Sequence, residues 1–211
     1  MQRYDLINWF IREYGYTRYC EIGIDNPNKC FNRIECADKT GIDPHKGKTE
    51  PPHHFRITSD AFFRYYASAF VFDIALVDGC HLCEQVVRDV DNLLECLDEN
   101  GTIIIHDCIP ENAITAAEVR TPGATWSGTV WKAWSILRAT RHGLHMHVVN
   151  QDHGLGIIRP GYQELYEGPY ETFDDWQANR DEILQLLSVR ELRSHFGKGA
   201  AHACNPENEL A

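Results

Sequence analysis

The sequence predicts an α/β fold with a doubly wound, mostly parallel sheet and helices on both faces. Short apolar, β-branched segments alternate along the chain with segments whose apolar residues recur at helical spacing, and this alternation favours a parallel sheet. The last two strand-like segments flank the turn-forming residues 150–154, which predicts an antiparallel hairpin. With 211 residues, the chain can bury a core without disulfides or a structural metal.

The first half of the chain supplies four of the expected strands. A helix with apolar residues at helical spacing ends at Gly15, and residues 72–77 have the apolar, β-branched content of a buried strand. In order, the expected elements are a helix over 5–14, a strand over 18–24, a short helix over 32–36, a strand over 39–43, a loop over 46–54, a weak strand over 55–57, a helix capped by Ser59 or Asp60 that ends near Phe70, and a strand over 72–77.

The second half continues the alternation and ends in helices. Valine and leucine residues on one side predict a helix after Cys83, and Gly101 is a signal for its C-terminal end. The expected elements are a helix over 83–97, a strand over 102–105, an aromatic-rich helix over 129–141, hairpin strands over 144–149 and 155–158, and one or two helices over 172–196.

We expect two parts in the chain. Residues 1–160, which include the helix over 5–14, form the main domain, and residues 161–211 form a helical extension packed on or beside it. The last fifteen residues are small and polar, which predicts a frayed end. The extension either caps the sheet or contacts another subunit of a homo-oligomer, and the sequence leaves both alternatives open.

Charge and hydropathy exclude two classes of partner. The chain has 20 Lys and Arg residues against 31 Asp and Glu, a net charge of −11, whereas nucleic-acid binding needs a basic face. No apolar run reaches the roughly 18 residues of a membrane span. The start of the chain lacks the basic flank and apolar stretch of a secretory signal, so we expect a cytoplasmic protein with mostly reduced cysteines.

Polar residues, most of them acidic, follow the predicted strands. Ligands of doubly wound sheets bind beyond the carboxyl ends of the strands, where these residues lie. Asp43 comes 22 residues after Glu21, a spacing at which a carboxylate can accept hydrogen bonds from both ribose hydroxyls of a nucleoside. Alternatively, Asp43 only forms a turn before Pro44. Gly23 allows a tight turn, but the G-x-G-x-x-G pattern is absent, which disfavours NAD.

Several stretches of the chain together resemble class I S-adenosylmethionine-dependent methyltransferases. The similar group is usually described only as methyltransferase domain proteins, with D-G-x-H after the fourth strand and H-D-C-x-P after the fifth. The resemblance covers roughly residues 15–160. It rests on residues 19–32, 40–44, 57–63, 72–92 and 101–110, and on the later GTVWKAW and GLGII stretches.

The resemblance implies a seven-stranded sheet, ending in the hairpin, and a pocket for S-adenosylmethionine. Glu21 and Gly23 would border the methionine moiety of this cofactor, and Asp43 would hold its ribose. Many methyltransferases have a second glycine where this chain has Pro27, so the loop at the cofactor carboxylate departs from the common pattern. The remaining residues of the implied pocket are Ser59 and Asp60 beside the adenine and Asp78 near the sulfonium.

Four residues that follow the fourth and fifth predicted strands are the candidates for catalysis or metal binding: Asp78, His81, His106 and Asp107. If the fourth and fifth strands are neighbours, the two carboxylates converge at one edge of the sheet. One interpretation is a divalent metal (Mg, Ca or Mn) held by Asp78, Asp107 and His81, at the strand ends where catechol-type O-methyltransferases place their ligands. A second makes His81 or His106 the general base without a metal. The third is purely structural.

Other chemistry-bearing residues are more simply explained by structure. Cys80 and Cys83 form a C-x-x-C pair with no second pair to complete a zinc site. Histidines at 142, 145 and 147 alternate with apolar residues, which is typical of the solvent face of a strand.

Trp126, in a loop rich in Pro and Gly, is the aromatic residue that we assign to the acceptor pocket.

The sequence therefore predicts an enzyme that transfers a methyl group from S-adenosylmethionine to an oxygen or nitrogen of a small-molecule or sugar-like acceptor. The transfer needs alignment of nucleophile, methyl and sulfur and the removal of one proton. Two alternatives stay open at this point. One is an NAD-type oxidoreductase on a related sheet, and the other is a non-catalytic nucleoside-binding domain that retains the fold.

Overall fold

The computed structural model describes residues 1–44 and 54–197. Strands are β1 (Arg18–Ile22), β2 (Asp38–Ile42), β3 (His54–Phe55), β4 (Phe72–Val77), β5 (Leu97–Ile105), β6 (Leu144–Val149), β7 (Leu155–Pro160) and β8 (Leu186–Leu187). Helices are α1 (Arg3–Tyr14), α2 (Ser59–Tyr65), α3 (Cys83–Glu95), α4 (Val130–Thr140), α5 (Phe173–Ala178), α6 (Arg180–Leu184) and α7 (Val189–Phe196).

The strands form one sheet in the order β3-β2-β1-β4-β5-β7-β6-β8. Neighbours are parallel except at β7, which runs antiparallel to both β5 and β6. The predicted α/β class and the hairpin are therefore confirmed. The expected count of seven strands is wrong by one, because Leu186 and Leu187 of the extension pair with Val148 and Val149 at the edge of the sheet.

Apolar cores on both faces of the sheet explain why its central strands read as continuous apolar runs. Ala75 and Val77 of β4 belong to the core that lies against α3 and α4, whereas Ile74 and Leu76 belong to the core against α1 and α7. The extension joins the first core, where the Trp134 Nε1–H donates to the Ile183 carbonyl at 3.1 Å. Burial on both sides is what a doubly wound sheet requires.

Several predicted boundaries are wrong for local reasons. Gly101 does not close α3, which ends at Glu95; it lies within β5, where a side chain at 101 would meet Leu97 Cγ at 2.6 Å. The cap of α2 is Thr58, whose hydroxyl accepts the Ala61 N–H, and α2 stops at Tyr65 before a 3₁₀ turn.

The C-terminal segment contains three helices where one or two were predicted. They are α5, α6 and α7, and Gln185, with φ of 47°, ends α6 before β8 begins. The predicted loop over 46–54 falls outside the described residues except for His54. The predicted frayed end falls outside them except for Gly197.

Within the described residues, no helix is long and apolar enough to cross a membrane. The seven cysteines of this part of the chain are free thiols.

The ends of β1 and β4 meet backbone to backbone. Gly23 has φ of +88°, and a Cβ there would lie 2.2 Å from the Asp78 carbonyl oxygen. The Asp78 N–H donates to the Ile22 carbonyl at 2.9 Å, which carries the β1–β4 pairing one residue past the end of β4. This close approach requires glycine and fixes where the Asp78 side chain begins.

Replacing Gly23 with Ala tests this contact. Gly143→Ala is the matched control, since Gly143 has a similar φ of +74° but no atom within 4 Å of the added Cβ. Both variants carry left-handed strain, and only Gly23→Ala adds a collision, so we expect it to lose about 1–3 kcal/mol more free energy of unfolding than the control. Urea denaturation measures both; equal losses would contradict the account.

Candidate active site

Two adjoining cavities lie along the carboxyl ends of the parallel strands. The first, about 640 Å³, spans the ends of β1, β2 and β4, and the second, about 370 Å³, extends toward the end of β5. Both are lined by Gly23, Asp25, Asp78, Gly79 and Arg120. This is the edge at which the sequence places its polar residues.

Asp43 lies on the wall of the first cavity. One carboxylate oxygen accepts the Ile24 N–H at 2.8 Å and the Asp25 N–H at 3.1 Å. The Asp43 carboxylate therefore holds the turn after β1, in addition to facing the cavity. Asp43 is 8% exposed, as a residue at the end of a buried strand should be.

The opposite wall contains a polar group that the sequence analysis missed. Gln85 on α3 donates to the Ser59 hydroxyl at 3.1 Å and to Asp89 at 2.9 Å. Burial raises the pKa of Asp89 to about 6, although the hydrogen bonds from Ser59 and Gln85 oppose the shift. Asp60, predicted beside the adenine, is exposed and does not line the cavity. In the sequence, the signal for this polar group is Asp89, an acidic residue on the otherwise apolar side of α3.

Glu21 lies in the second cavity, with 2% of its surface exposed. Its carboxyl group accepts the Tyr19 hydroxyl at 2.5 Å, and burial raises its pKa to about 8. Arg3 and Lys29 line the same cavity, so the end that would receive an amino acid zwitterion offers both acidic and basic groups.

His106 stands among three carboxylates at the end of β5. Its Nδ1 lies 3.0 Å from Asp107 Oδ2 and 3.2 Å from Asp78 Oδ1, and its Nε2 lies 3.6 Å from Asp152 Oδ1. Burial alone would lower the pKa of His106, but Asp107, Asp152 and Asp78 raise it to about 11. His106 is 5% exposed, so solvent hardly screens this cluster.

Arg3 joins α1 to the same cluster. Its guanidinium pairs with Asp78 Oδ2 and, through Nε at 3.1 Å, with Asp152 in the hairpin turn. Burial alone would raise the pKa of Asp78, but His106, His81 and Arg3 lower it below its usual value. Neither Arg3 nor Asp152 was identified from the sequence, because both act through long-range contacts of separate segments.

His81 faces the same carboxylates from the turn after β4. Its Nε2 lies 3.5 Å from Asp78 Oδ1, and its Nδ1 lies 3.5 Å from Asp107 Oδ2 and 3.1 Å from the Trp126 carbonyl oxygen. The Trp126 ring stacks on the imidazole, with centroids 5.3 Å apart. The segment after β5 approaches closely at Gly128, where a Cβ would lie 2.2 Å from the His81 carbonyl oxygen.

Asp107 has an unusual backbone conformation, with φ of 65°. Such a conformation costs of order 1–3 kcal/mol for a residue other than glycine and is typical of functional sites. The Ser127 hydroxyl donates to its Oδ1 at 3.2 Å, leaving Oδ2 toward the histidines.

The arrangement fits a divalent metal ion. Asp78, His81 and Asp107 each offer a ligand atom, and these atoms lie within 4.8 Å of one another. His106 is not among these ligands, because its ring nitrogens face the carboxylates of Asp78, Asp107 and Asp152. Two carboxylates and an imidazole suit magnesium or manganese.

The cysteine and histidine candidates from the sequence do not form a common site. Cys80 is exposed on the first cavity and Cys83 is buried at the start of α3. The prediction of a solvent-facing histidine strand is wrong for His147, which is 7% exposed, because α7 covers that face of β6. His142 is exposed.

Residues 18–108 match a family model described as a methyltransferase domain. No curated protein matches the chain. Solved structures share its fold. TomG, an O-methyltransferase from Streptomyces achromogenes involved in tomaymycin synthesis and solved with SAM, has a TM-score of 0.53 at 11% identity, over 74% of this chain and 78% of that chain.

Two further solved structures are similar at 16% identity. A candidate caffeoyl-CoA O-methyltransferase from Staphylococcus aureus has a TM-score of 0.51, over 74% of this chain and 82% of that chain. MycE, from the mycinamycin biosynthetic pathway, was solved with Mg, SAH and mycinamycin VI and has a TM-score of 0.50, over 80% of this chain. The alignment spans only 50% of the MycE chain.

These identities establish a common fold, and the family match adds the domain type. The finding favours the methyltransferase over the oxidoreductase alternative. Residues 18–108 thus match a methyltransferase domain, and the chain shares the fold of solved O-methyltransferases, one of which contains SAM.

Proposed function

We propose that the protein methylates an oxygen or nitrogen of a small-molecule acceptor, a sugar-like compound being one class, with the help of a divalent metal ion. The observation that carries this proposal is the convergence of Asp78, His81 and Asp107 beside the cofactor-sized cavity. The MycE structure, which contains both Mg and SAH, supports the combination of metal and cofactor on this fold.

The cofactor would extend through both cavities. Asp43 is assigned to the ribose, and Glu21 and Gly23 to the methionine end. Ser59 is assigned to the adenine, with Asp89 added from the structure in place of Asp60. Asp78 lines both cavities, which agrees with a position near the sulfonium. The bound cofactor supplies a methyl group on a good leaving group.

The acceptor would enter beside His81 and Trp126. A carbonyl oxygen only accepts hydrogen bonds, so the contact with the Trp126 carbonyl places a proton on His81 Nδ1, and in the neutral imidazole Nε2 then carries the lone pair. That lone pair serves either as the third metal ligand or as the base that takes the acceptor proton. A metal ion in this position would lower the pKa of an acceptor hydroxyl.

His106 is assigned a positioning role. It is more buried than His81, with 5% against 18% of the side chain exposed, and lies behind the carboxylates. It keeps the carboxylates of Asp78, Asp107 and Asp152 together by balancing their charge, and so shapes the site without touching the acceptor.

Replacing Asp43 with Ala tests the cofactor assignment. Loss of charge-assisted hydrogen bonds should weaken S-adenosylhomocysteine binding by on the order of 1–3 kcal/mol. Asp25→Asn is the control, because Asp25 lines the same cavity but its side chain is 81% exposed. Calorimetry compares the two dissociation constants with that of the wild type. Unchanged affinity in Asp43→Ala would remove the ribose assignment.

Replacing Asp107 tests the metal assignment. Asp107→Asn should weaken Mn²⁺ binding at least about tenfold, measured as loss of the free-ion EPR signal, with S-adenosylhomocysteine affinity little changed. Asp107→Gly is a second variant in which the positive φ is unstrained, so a loss of Mn²⁺ binding there as well would come from the missing carboxylate and not from backbone strain. Wild-type Mn²⁺ affinity in both variants would contradict the assignment of Asp107 as a metal ligand.

His81→Gln separates the two roles of His81 Nε2. Weaker Mn²⁺ binding is expected if Nε2 is a ligand. Unchanged Mn²⁺ binding together with a large fall in turnover, at unchanged cofactor affinity, is expected if Nε2 is the base. A variant with wild-type Mn²⁺ binding and wild-type turnover would show that His81 has neither role.

A further inference from the structure

A pair of histidines on β6 lies outside the methyltransferase site. His145 and His147 are two residues apart on the same strand, so both side chains point to one face of the sheet. Their Nε2 atoms are 2.9 Å apart, and their rings are nearly perpendicular. The pair needs an explanation, because His147 is only 7% exposed.

The position of the proton on His147 follows from its second nitrogen. Nδ1 lies 2.9 Å from the carbonyl oxygen of Gln185, which can only accept, so Nδ1 carries the hydrogen. Nε2 therefore presents a lone pair toward His145. An outer carbonyl that fixes the tautomer in this way is a usual companion of metal-binding histidines.

Helix α7 places further ligand types beside the pair. The His195 ring stacks on His147 with centroids 5.1 Å apart, and Glu191, one turn earlier, lines a cavity of about 500 Å³ with both residues. Asp181 of α6 lines the same cavity. Carboxylate and imidazole side chains thus share a cavity with His147, whereas His145 lines a different cavity.

We propose that His145 and His147 form a binding site for a divalent transition-metal ion of the Ni²⁺ or Cu²⁺ type. With metal–nitrogen bonds of about 2.0–2.1 Å, nitrogen atoms 2.9 Å apart subtend an angle of about 90° at the ion. That angle is the one between adjacent ligands in the square-planar geometry of these ions. Without the ion, His145 Nε2–H donates to His147 Nε2; on binding, His145 changes to its Nδ1–H tautomer, so that both Nε2 lone pairs are available to the ion.

The site lies where the C-terminal segment docks on the sheet. β6 pairs with β8, and Phe196 of α7 contacts both histidine rings. An ion bound by the pair would bind only the folded state, and such binding raises the unfolding temperature.

Nickel titration of the untagged full-length protein tests the proposal, and the same titration in an Asp107→Asn background separates this site from the candidate ligands at the strand ends, which would also bind Ni²⁺. Wild type should bind one Ni²⁺ and show a raised Tm. His145→Gln should bind at least about tenfold more weakly and lose the Tm shift. His142→Gln, an exposed histidine outside the pair, is the control and should behave as wild type.

His147→Gln should also lose Ni²⁺ binding, and if this buried variant fails to fold, His145→Gln still decides. Wild-type Ni²⁺ affinity in His145→Gln would overturn the site. No Ni²⁺ binding by the wild type would also overturn it, and so would an equal loss in the control.

Discussion

The buried charge cluster around His106 is the interaction on which the rest of this structure depends. Three carboxylates, from Asp78, Asp107 and Asp152, would repel one another in a site that solvent hardly screens. His106 between them and Arg3 at the rim provide the balancing positive charge. Because these five residues come from α1, β4, β5 and the β6–β7 turn, the same ion pairs that shape the site also hold these segments together.

The cluster has its position because the backbone supports it at close range. Gly23 allows β1 to lie directly against the start of the Asp78 turn, and Asp107 keeps a left-handed conformation that turns its carboxylate toward the histidines. Asp78 lines both cavities proposed for the cofactor, and the other candidate metal ligands, His81 and Asp107, line the second of them. A methyl group on the cofactor and an acceptor at His81 would therefore meet at one carboxylate, which is the alignment that methyl transfer needs.

Local patterns explain what could be predicted from the sequence. Apolar periodicity located the central strands, α1, α3 and α4, and the acids at strand ends located Asp43, Asp78 and Asp107, because these signals are contained in neighbouring residues. Arg3 and Asp152 could not be found, since 149 residues separate them and only the fold brings them together. β8 was missed because two leucines within a helical pattern pair only when β6 offers an edge.

Calorimetric titration of S-adenosylhomocysteine into the purified protein, with Mg²⁺ present, tests the central claim most directly. The account predicts one-to-one binding at micromolar or tighter affinity, because the cavities at the strand ends hold the proposed ribose carboxylate, Asp43, and the proposed methionine end at Glu21 and Gly23 in a fixed arrangement. No detectable heat at several temperatures would contradict it, and the acidic edge would then serve a purpose other than methyl transfer.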